Sequence, residues 1–319
     1  MTRLILIQRH FASPGYFAAL LLLVLAIPAM GQNSPGLSGK PRLFNTADEA
    51  AQALVQAAEA YDVQAMMDIF GPNSNDVINT GEPGHDKEIV EEFVAQARIK
   101  MDVVVDRRNR NRAILNIGND NWPFAIPIIR KATGKWAFDV KQGRQEISLR
   151  RIGRNELDAI QVCRGFVEAQ HEYALKKHDD AKVNQYAQRI ISSPGKRDGL
   201  AWQNADGSWG GAVGERAAKA LEQIVQGSGA PFHGYYFKVL KGQGPAAPLG
   251  AMDYVQKGAM IGGFALLAYP TVYQVTGVKS FLVSHDGVVY EKDLGPKTVE
   301  AAKGIERFNP DRSWQPVVN

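Results

Sequence analysis

Residues 155–178, NELDAIQVCRGFVEAQHEYALKKH, lie near the middle of the chain and decide how the sequence divides. Apolar side chains recur here at spacings of three and four residues, as on one face of a helix, and include Ile160 and Phe166. Asn155 can cap the first turn, and the basic residues Lys176–His178 suit the negative end of a helix. The pattern predicts an amphipathic spine helix with a β-rich half on each side.

Cys163 lies at the centre of the apolar face and is the only cysteine of the chain. An intrachain disulfide is therefore impossible, and a cysteine-rich metal site is excluded. Because Ile160 and Phe166 flank Cys163 on the same face, we expect a small buried hydrophobe. A nucleophile or an intermolecular disulfide is the alternative.

The overall charge argues against a nucleic-acid partner. A chain of 319 residues suggests about two domains, and its formal net charge is +4. The first 31 residues hold two arginines and no acidic residue, so the remainder carries only +2. No block of lysine or arginine stands out, and we therefore expect no nucleic-acid binding.

The N-terminus has the pattern of an export signal. Arg3 and Arg9 precede the apolar run 17–27, FAALLLLVLAI, and small residues lead to Gly31. We expect cleavage before Gln32, and no cysteine follows the run, which argues against a lipoprotein. The run is shorter than the ~20 residues that a span needs, so we expect no stable membrane span, an uncleaved anchor being the alternative. The mature protein is then periplasmic or secreted.

The segmentation predicts an α+β protein with four parts. They are a signal peptide over 1–31, a flexible Gly/Pro/Ser-rich linker over 32–43, a first domain over 44–154 and a second over 155–319.

The first domain begins with helical patterns and continues with strand patterns. Helices are predicted behind Thr46 and Asp62 and over 87–97. Strands follow, with a hairpin signal at Ala132–Gly134. The predicted strands are 100–106, 112–118, 124–130 and 135–140.

Helices followed by a curved antiparallel sheet resemble the cone-shaped fold of the nuclear-transport-factor-two and cystatin-like superfamily. The resemblance implies a pocket inside the cone. Trp122, Trp136 and Asp139 are the candidates to line it, with Asp139 as an acid or base. The alternative is that both tryptophans belong to a filled core.

The second domain follows the spine helix. We expect a short helix over Gln185–Ser192, a loop over Ser193–Gly211 and a helix over Gly214–Gln226. The predicted strands are Tyr235–Leu240, Gly263–Tyr269, Val278–Ser284 and 288–291, before a last helix over 297–305.

An aromatic strand near the start of this β-rich part is a second candidate site. His233, Tyr235 and Tyr236 could stack on a sugar or a peptide. A packed strand without a ligand is the alternative.

Four long strings carry a family resemblance: RRIGRNEL (150–157), HGYYFKVLKGQGPAAP (233–248), GGFALLAYP (262–270) and VSHDGVVYEKDLG (283–295). They resemble the bacterial family called domain of unknown function 2950. The resemblance implies exported proteins with no established activity, and it supplies no catalytic residues.

The order of motifs in the second half resembles the globular heads of type IV pilin-like and pseudopilin proteins. It starts with Asn155 and Glu156 on the helix and continues with Gly234 and Tyr235 in a strand. The resemblance implies a spine helix packed on an antiparallel sheet, and envelope or pilus-type proteins as partners. The apolar N-terminal half of a pilin helix is missing, so we do not expect filament assembly by that helix.

The sequence holds no recognisable catalytic motif. It lacks a Gly-x-Ser-x-Gly elbow, a phosphate loop and a His-Glu-x-x-His pair. The histidines after residue 31 are not at ligand spacing, so we expect neither a metal nor a cofactor. We therefore expect a non-enzymatic envelope binding or interaction protein. The alternative is a hydrolase, an isomerase or a small-ligand binder that uses the pocket of the first domain.

Overall fold

The computed structural model describes residues 40–78, 83–213 and 231–318, and the side chains of all these except 83–85. The signal peptide, most of the linker and the predicted helix Gly214–Gln226 lie outside the described residues. The chain divides into two compact units between Arg151 and Ile152. The fold is α+β, as predicted. None of the described helices is long and apolar enough to cross a membrane.

The N-terminal unit begins with four helices: α1 Ala47–Glu59, α2 Val63–Phe70, α3 Asn75–Ile78 and α4 Pro83–Ile99. The predicted caps start the first two. The Thr46 hydroxyl accepts from the Glu49 amide at 3.0 Å, and the Asp62 carboxylate accepts from the Ala65 amide at 2.9 Å. The sequence did not reveal α3, which is a single turn.

The sheet of this unit is antiparallel and contains β1 Met101–Val105, β2 Arg112–Ile117, β3 Trp122–Pro123, β4 Ile128–Arg130 and β5 Trp136–Phe138. The strand order is β1-β2-β4-β5, with β3 added to β2. The predicted hairpin joins β4 to β5, and Gly134 takes a φ of +80° in its turn.

Helix α5, Val140–Tyr173, is a continuous helix of 34 residues. The predicted start at Asn155 was wrong, because the cap is Asp139, whose carboxylate accepts from the Gln142 amide at 3.1 Å. The first part of α5 was not predicted, because Gly143 and the polar residues around it interrupt the helical spacing of apolar residues. A Cβ at Gly143 would lie 2.7 Å from Ile126 Cγ1, so close packing explains the glycine.

Asn155 and Glu156 make tertiary contacts in the interior of α5. The Asn155 amide donates to the Thr276 carbonyl at 2.8 Å. The Glu156 carboxylate accepts from the amides of Val278 and Lys279 at 2.8 and 3.0 Å. These residues therefore fix the start of a strand instead of capping a helix.

The main sheet of the C-terminal unit is antiparallel and contains β9 Tyr235–Leu240, β14 Ala265–Pro270, β15 Lys279–Ser284, β16 Val289–Asp293 and β17 Gln315–Pro316. The strand order is β17-β16-β15-β14-β9. The last helix is α6 Thr298–Gly304. All but β17 correspond to predicted elements.

The segment after α5 forms a second sheet where the sequence predicted a helix and a loop. It contains β6 Arg189–Ile191, β7 Gly199–Gln203 and β8 Trp209–Gly211. The predicted helix Gln185–Ser192 was wrong, because β6 pairs in parallel with β7, ten residues further along the chain. The predicted loop Ser193–Gly211 contains β7 and β8, which pair antiparallel.

Two short antiparallel ladders complete the C-terminal unit. They pair β10 Gly242–Gln243 with β11 Met252–Asp253, and β12 Val255–Gln256 with β13 Ala259–Met260.

The core of the C-terminal unit confirms the prediction for the apolar face of the spine helix. Ile160, Cys163 and Phe166 belong to one buried cluster with Phe264 and Phe281. The rings of Phe166 and Phe264 meet edge to face at 5.7 Å. Cys163 is fully buried, and burial raises the pKa of its thiol to about 12. It is therefore a buried hydrophobe and no nucleophile.

Candidate functional site

A cavity of about 110 Å³ lies in the N-terminal unit, among its helices, the sheet and the first part of α5. Nearly all of its lining is aliphatic or aromatic. The walls include Leu54 and Ala58 from α1, Phe70 from α2, Phe93 from α4 and Ile147 from α5. An apolar cavity of roughly 150 Å³ accepts benzene or xenon, so this cavity suits a small apolar group.

The hollow lies beside packed aromatic rings, one pair stacked and one tilted. Phe124 lies 5.3 Å from Phe93 and 6.5 Å from Phe70, measured between ring centroids. Ala58 and Ala125 are also lining residues, and their small side chains leave room that a larger one would fill. The arrangement is therefore built from side chains that are too rigid or too small to close the gap.

The cavity has a polar side formed by Arg150 and Trp122. The guanidinium of Arg150 lies 5.2 Å from the centroid of the Trp122 ring. Arg150 Nε donates to Glu146 at 2.8 Å, and Nη1 donates to the Pro123 carbonyl at 2.8 Å. Because a guanidinium has five N–H donors, it retains donors for the polar end of a ligand. Asp86, which is buried, also contributes to the lining.

Of the three residues predicted to line a pocket, the structure brings only Trp122 to the cavity. Trp136 pairs through its backbone with Phe44, donating and accepting at 2.8 Å. The two carboxylate oxygens of Asp139 accept from the backbone and side-chain nitrogens of Gln142 at 3.1 and 2.9 Å. Asp139 thus serves as a helix cap and is not among the lining residues.

The predicted aromatic strand does not form a continuous platform. Tyr235 is fully buried, and its hydroxyl donates to the Lys279 carbonyl at 2.8 Å. Burial raises the pKa of this hydroxyl well above its usual range. Tyr236 lies on the strand's other face and packs on Tyr269 at 5.5 Å.

His233 precedes the strand and is held separately. Its Nδ1 lies 2.6 Å from the Asp158 carboxylate, and its ring stacks on Phe232 at 4.1 Å. The backbone of His233 has a φ of +47°, an uncommon conformation for a residue with a side chain. The three predicted residues therefore do not share one exposed surface.

Sequence reasoning missed the polar side of the cavity. Arg150 and Ile147 are three residues apart on α5, a spacing that places both on one helix face. That signal was present, but the spine helix was predicted to begin only at Asn155. The continuous helix is what brings Arg150 to Trp122.

A groove of about 420 Å³ on the C-terminal unit was also missed. Lys292 comes from β16, and Arg307, Asn309, Asp311 and Trp314 come from the segment after α6. These residues do not recur at helix or strand spacing, because the chain between them is irregular, so the sequence does not predict that they lie together.

The structure offers no evident metal site within residues 40–78, 83–213 and 231–318. No group of three or more His, Cys, Asp or Glu side chains in these ranges could hold an ion. The described lining of the apolar cavity also lacks cysteine, histidine and serine.

Comparison with known proteins places the chain in a family but gives no activity. No curated protein and no solved structure matches it. A family model described as "Protein of unknown function (DUF2950)" matches residues 41–317, which include both units. The chain therefore belongs to the DUF2950 family.

Proposed function

We propose that this chain is an exported, non-enzymatic binding protein of the cell envelope, and that its N-terminal unit takes up a small apolar ligand. The observation that carries the proposal is the apolar cavity with Arg150 and Trp122 on its polar side. A ligand with a short hydrocarbon part and one polar end matches this lining. Each Å² of apolar surface that it buries contributes roughly 25 cal/mol.

Export and an envelope location are supported by the sequence. The apolar run 17–27 follows Arg3 and Arg9 and precedes small residues at Gly31. The partners proposed are envelope or pilus-type proteins. A helix that packs on an antiparallel sheet in the C-terminal unit agrees with the pilin-head likeness, and an apolar hollow agrees with the cone-fold likeness. The periplasmic fraction of the native host, probed with an antibody to the chain, tests the location.

An enzyme is the less favoured alternative. Asp139, the acid or base it would need, caps α5 and does not line the cavity. The charged residues of the lining are Asp86, Glu92 and Arg150, and Arg150 already binds Glu146. The lining thus suits binding better than proton transfer.

The test uses benzene and 1-butanol as probes, with methyl NMR of the folded chain as the readout. Both probes should shift the methyl signals of Met66, Ile117 and Ile126, which lie at or beside the cavity. Trp122 fluorescence should change with the same dependence on probe concentration. Shifts confined to surface methyl groups, or no saturable shift, would contradict the proposal.

A pair of variants on α1 separates the cavity from the surface. Ala58→Leu should fill the hollow and abolish the probe shifts, because Ala58 is buried in its wall. Gln52→Leu adds the same side chain on the exposed side of α1 and should leave the shifts unchanged. If the two variants changed the probe shifts equally, the cavity would not be the binding site.

A further inference from the structure

The groove of about 420 Å³ on the C-terminal unit has a size typical of small-molecule sites. Its apolar part includes Leu294, Ile305 and Trp314, of which Trp314 is 7% exposed. The lining also includes five polar side chains: Lys292, Glu306, Arg307, Asn309 and Asp311. The groove therefore combines apolar side chains with hydrogen-bonding groups.

The charges around the groove balance. Lys292 and Arg307 are cationic, and Glu306 and Asp311 are anionic. Arg307 is already paired with the Asp253 carboxylate at 2.5 Å. With Arg307 paired to Asp253, Lys292 lies with Glu306 and Asp311, so a ligand of either sign meets at least one like charge. A neutral polar ligand is favoured over both.

Donors and acceptors alternate at one end of the groove. Lys292 Nζ donates to the Ser313 hydroxyl at 2.7 Å, and that hydroxyl donates to Asp311 Oδ1. Asp311 Oδ1 also accepts from the Ser313 amide, while Asn309 Oδ1 accepts from the Ala246 amide. Among the described residues no hydrogen bond occupies Asp311 Oδ2 or Asn309 Nδ2.

These groups match a ligand rich in hydroxyls. Each hydroxyl both donates and accepts, so a pair of neighbouring hydroxyls can donate to Asp311 Oδ2 and accept from Asn309 Nδ2 and Lys292 Nζ. The hydrogen bonds of the Ser313 hydroxyl hold Lys292 and Asp311 in place before a ligand binds. The C–H face of a sugar ring can pack on Leu294 and Ile305, since Lys292 already covers the ring of Trp314.

We propose that this groove binds a neutral glycan through Lys292, Asn309 and Asp311, with Leu294 and Ile305 against the sugar ring. The site is distinct from the apolar cavity and lies in the C-terminal unit. It extends the binding function to carbohydrate polymers, and it stands whether or not the apolar cavity takes up a ligand.

The experiment titrates the folded chain with N-acetylglucosamine trimer and with maltotriose, by calorimetry and NMR. The dipeptide Ala-Ala is the comparison, because a zwitterion could also match balanced charges. We expect saturable binding of at least one trisaccharide, with shifts confined to the groove. No saturation up to about 10 mM, or binding of the dipeptide alone, overturns the proposal.

Matched variants locate the binding. Asp311→Asn and Lys292→Met should each weaken glycan binding about tenfold or more, since each removes a charged hydrogen-bonding partner. Glu300→Gln and Lys303→Met make the same changes at exposed positions outside the groove and should have no effect. Equal losses in both pairs would refute the site, and melting temperatures near that of the parent chain show that each variant is folded. The benzene response of the apolar cavity should persist in all four.

Discussion

The two units use similar parts and differ in where they leave space. Each combines helices with an antiparallel sheet. In the C-terminal unit Ile160, Cys163 and Phe166 meet Phe264 in a filled core, and the concave surface lies outside among polar groups. In the N-terminal unit helix α1 has alanine along its inner face, and a hollow remains inside.

The difference has an energetic consequence. An apolar hollow destabilises by about 24 cal/mol for each Å³ that stays empty, so about 110 Å³ sets an upper limit of roughly 2–3 kcal/mol for this partly open cavity. A groove that is open to water does not lower stability in this way, because water fills it. An interior that is left unfilled therefore lowers stability and is consistent with selection for binding.

The largest expected effect comes from making the filled core hollow. Phe264 is fully buried between Phe166 and Tyr186, so Phe264→Ala should lower the free energy of unfolding by about 3–5 kcal/mol. Urea unfolding followed by circular dichroism measures this. Leu249→Ala, at a position that is 91% exposed, is the control and should stay within about 0.5 kcal/mol. A loss below about 1 kcal/mol would mean that this core is not tightly packed.

The buried thiol gives a pH-dependent test of the same core. The unfolded chain loses the Cys163 proton near the ordinary thiol pKa of 9.0, whereas the folded chain keeps it up to about 12. The free energy of unfolding should therefore fall as pH rises above 9.0, by about 1.4 kcal/mol for each pH unit. Cys163→Ala should remove this component, as urea unfolding at about pH 8 and about pH 10 would show.

Thiol reactivity provides the independent check on Cys163. The native thiol should not react with a disulfide reagent at about pH 8, and it should react at once in denaturant. Fast reaction of the native protein would show that water reaches the core of the C-terminal unit, which would remove the contrast between the units.

Asp139 tests whether the N-terminal unit binds or catalyses. Asp139→Ala should lower the free energy of unfolding by about 1 kcal/mol, because the cap of α5 is lost. Asp139→Asn should be nearly neutral, since asparagine caps as well as aspartate. Thermal unfolding compares the two, with benzene binding as a second readout that neither change should affect. Loss of benzene binding in the Asp139→Asn variant would show that Asp139 belongs to the binding site after all.

The smallest effect concerns the ion pair of Asp76 with Arg144. Arg144 donates two hydrogen bonds to the Asp76 carboxylate, at 2.7 and 2.6 Å, and these hold the pKa of Asp76 below 3.8. The stabilisation is therefore present above that pH and is lost as pH falls through the lowered pKa. Because the pair is half-exposed, its contribution is at most about 1 kcal/mol. Arg144→Gln should reduce stability at about pH 6 more than at about pH 3; equal losses at both would contradict the pairing.

The sequence by itself determined the elements whose signals are local. The caps at Thr46 and Asp62, the turn at Gly134 and the alternation in Tyr235–Leu240 act within a few residues, so periodicity and turn chemistry were sufficient. The apolar face around Cys163 also predicted its burial, because three- and four-residue spacing gives one helix face.

Only the tertiary structure decided the features that depend on partners outside the element itself. The strand β6 forms because β7 offers a partner, and Asn155 lies inside a helix because Asp139 caps it earlier and Thr276 accepts its amide. The site followed the same rule. Trp122 was predicted from the sequence, but Arg150 lies beside it only because α5 begins before Asn155. The residues that line the groove at Lys292 do not recur at a regular spacing in the sequence. Hydrogen bonds and packing across long separations override local preference, which explains why the cavity and the groove appear only in the folded chain.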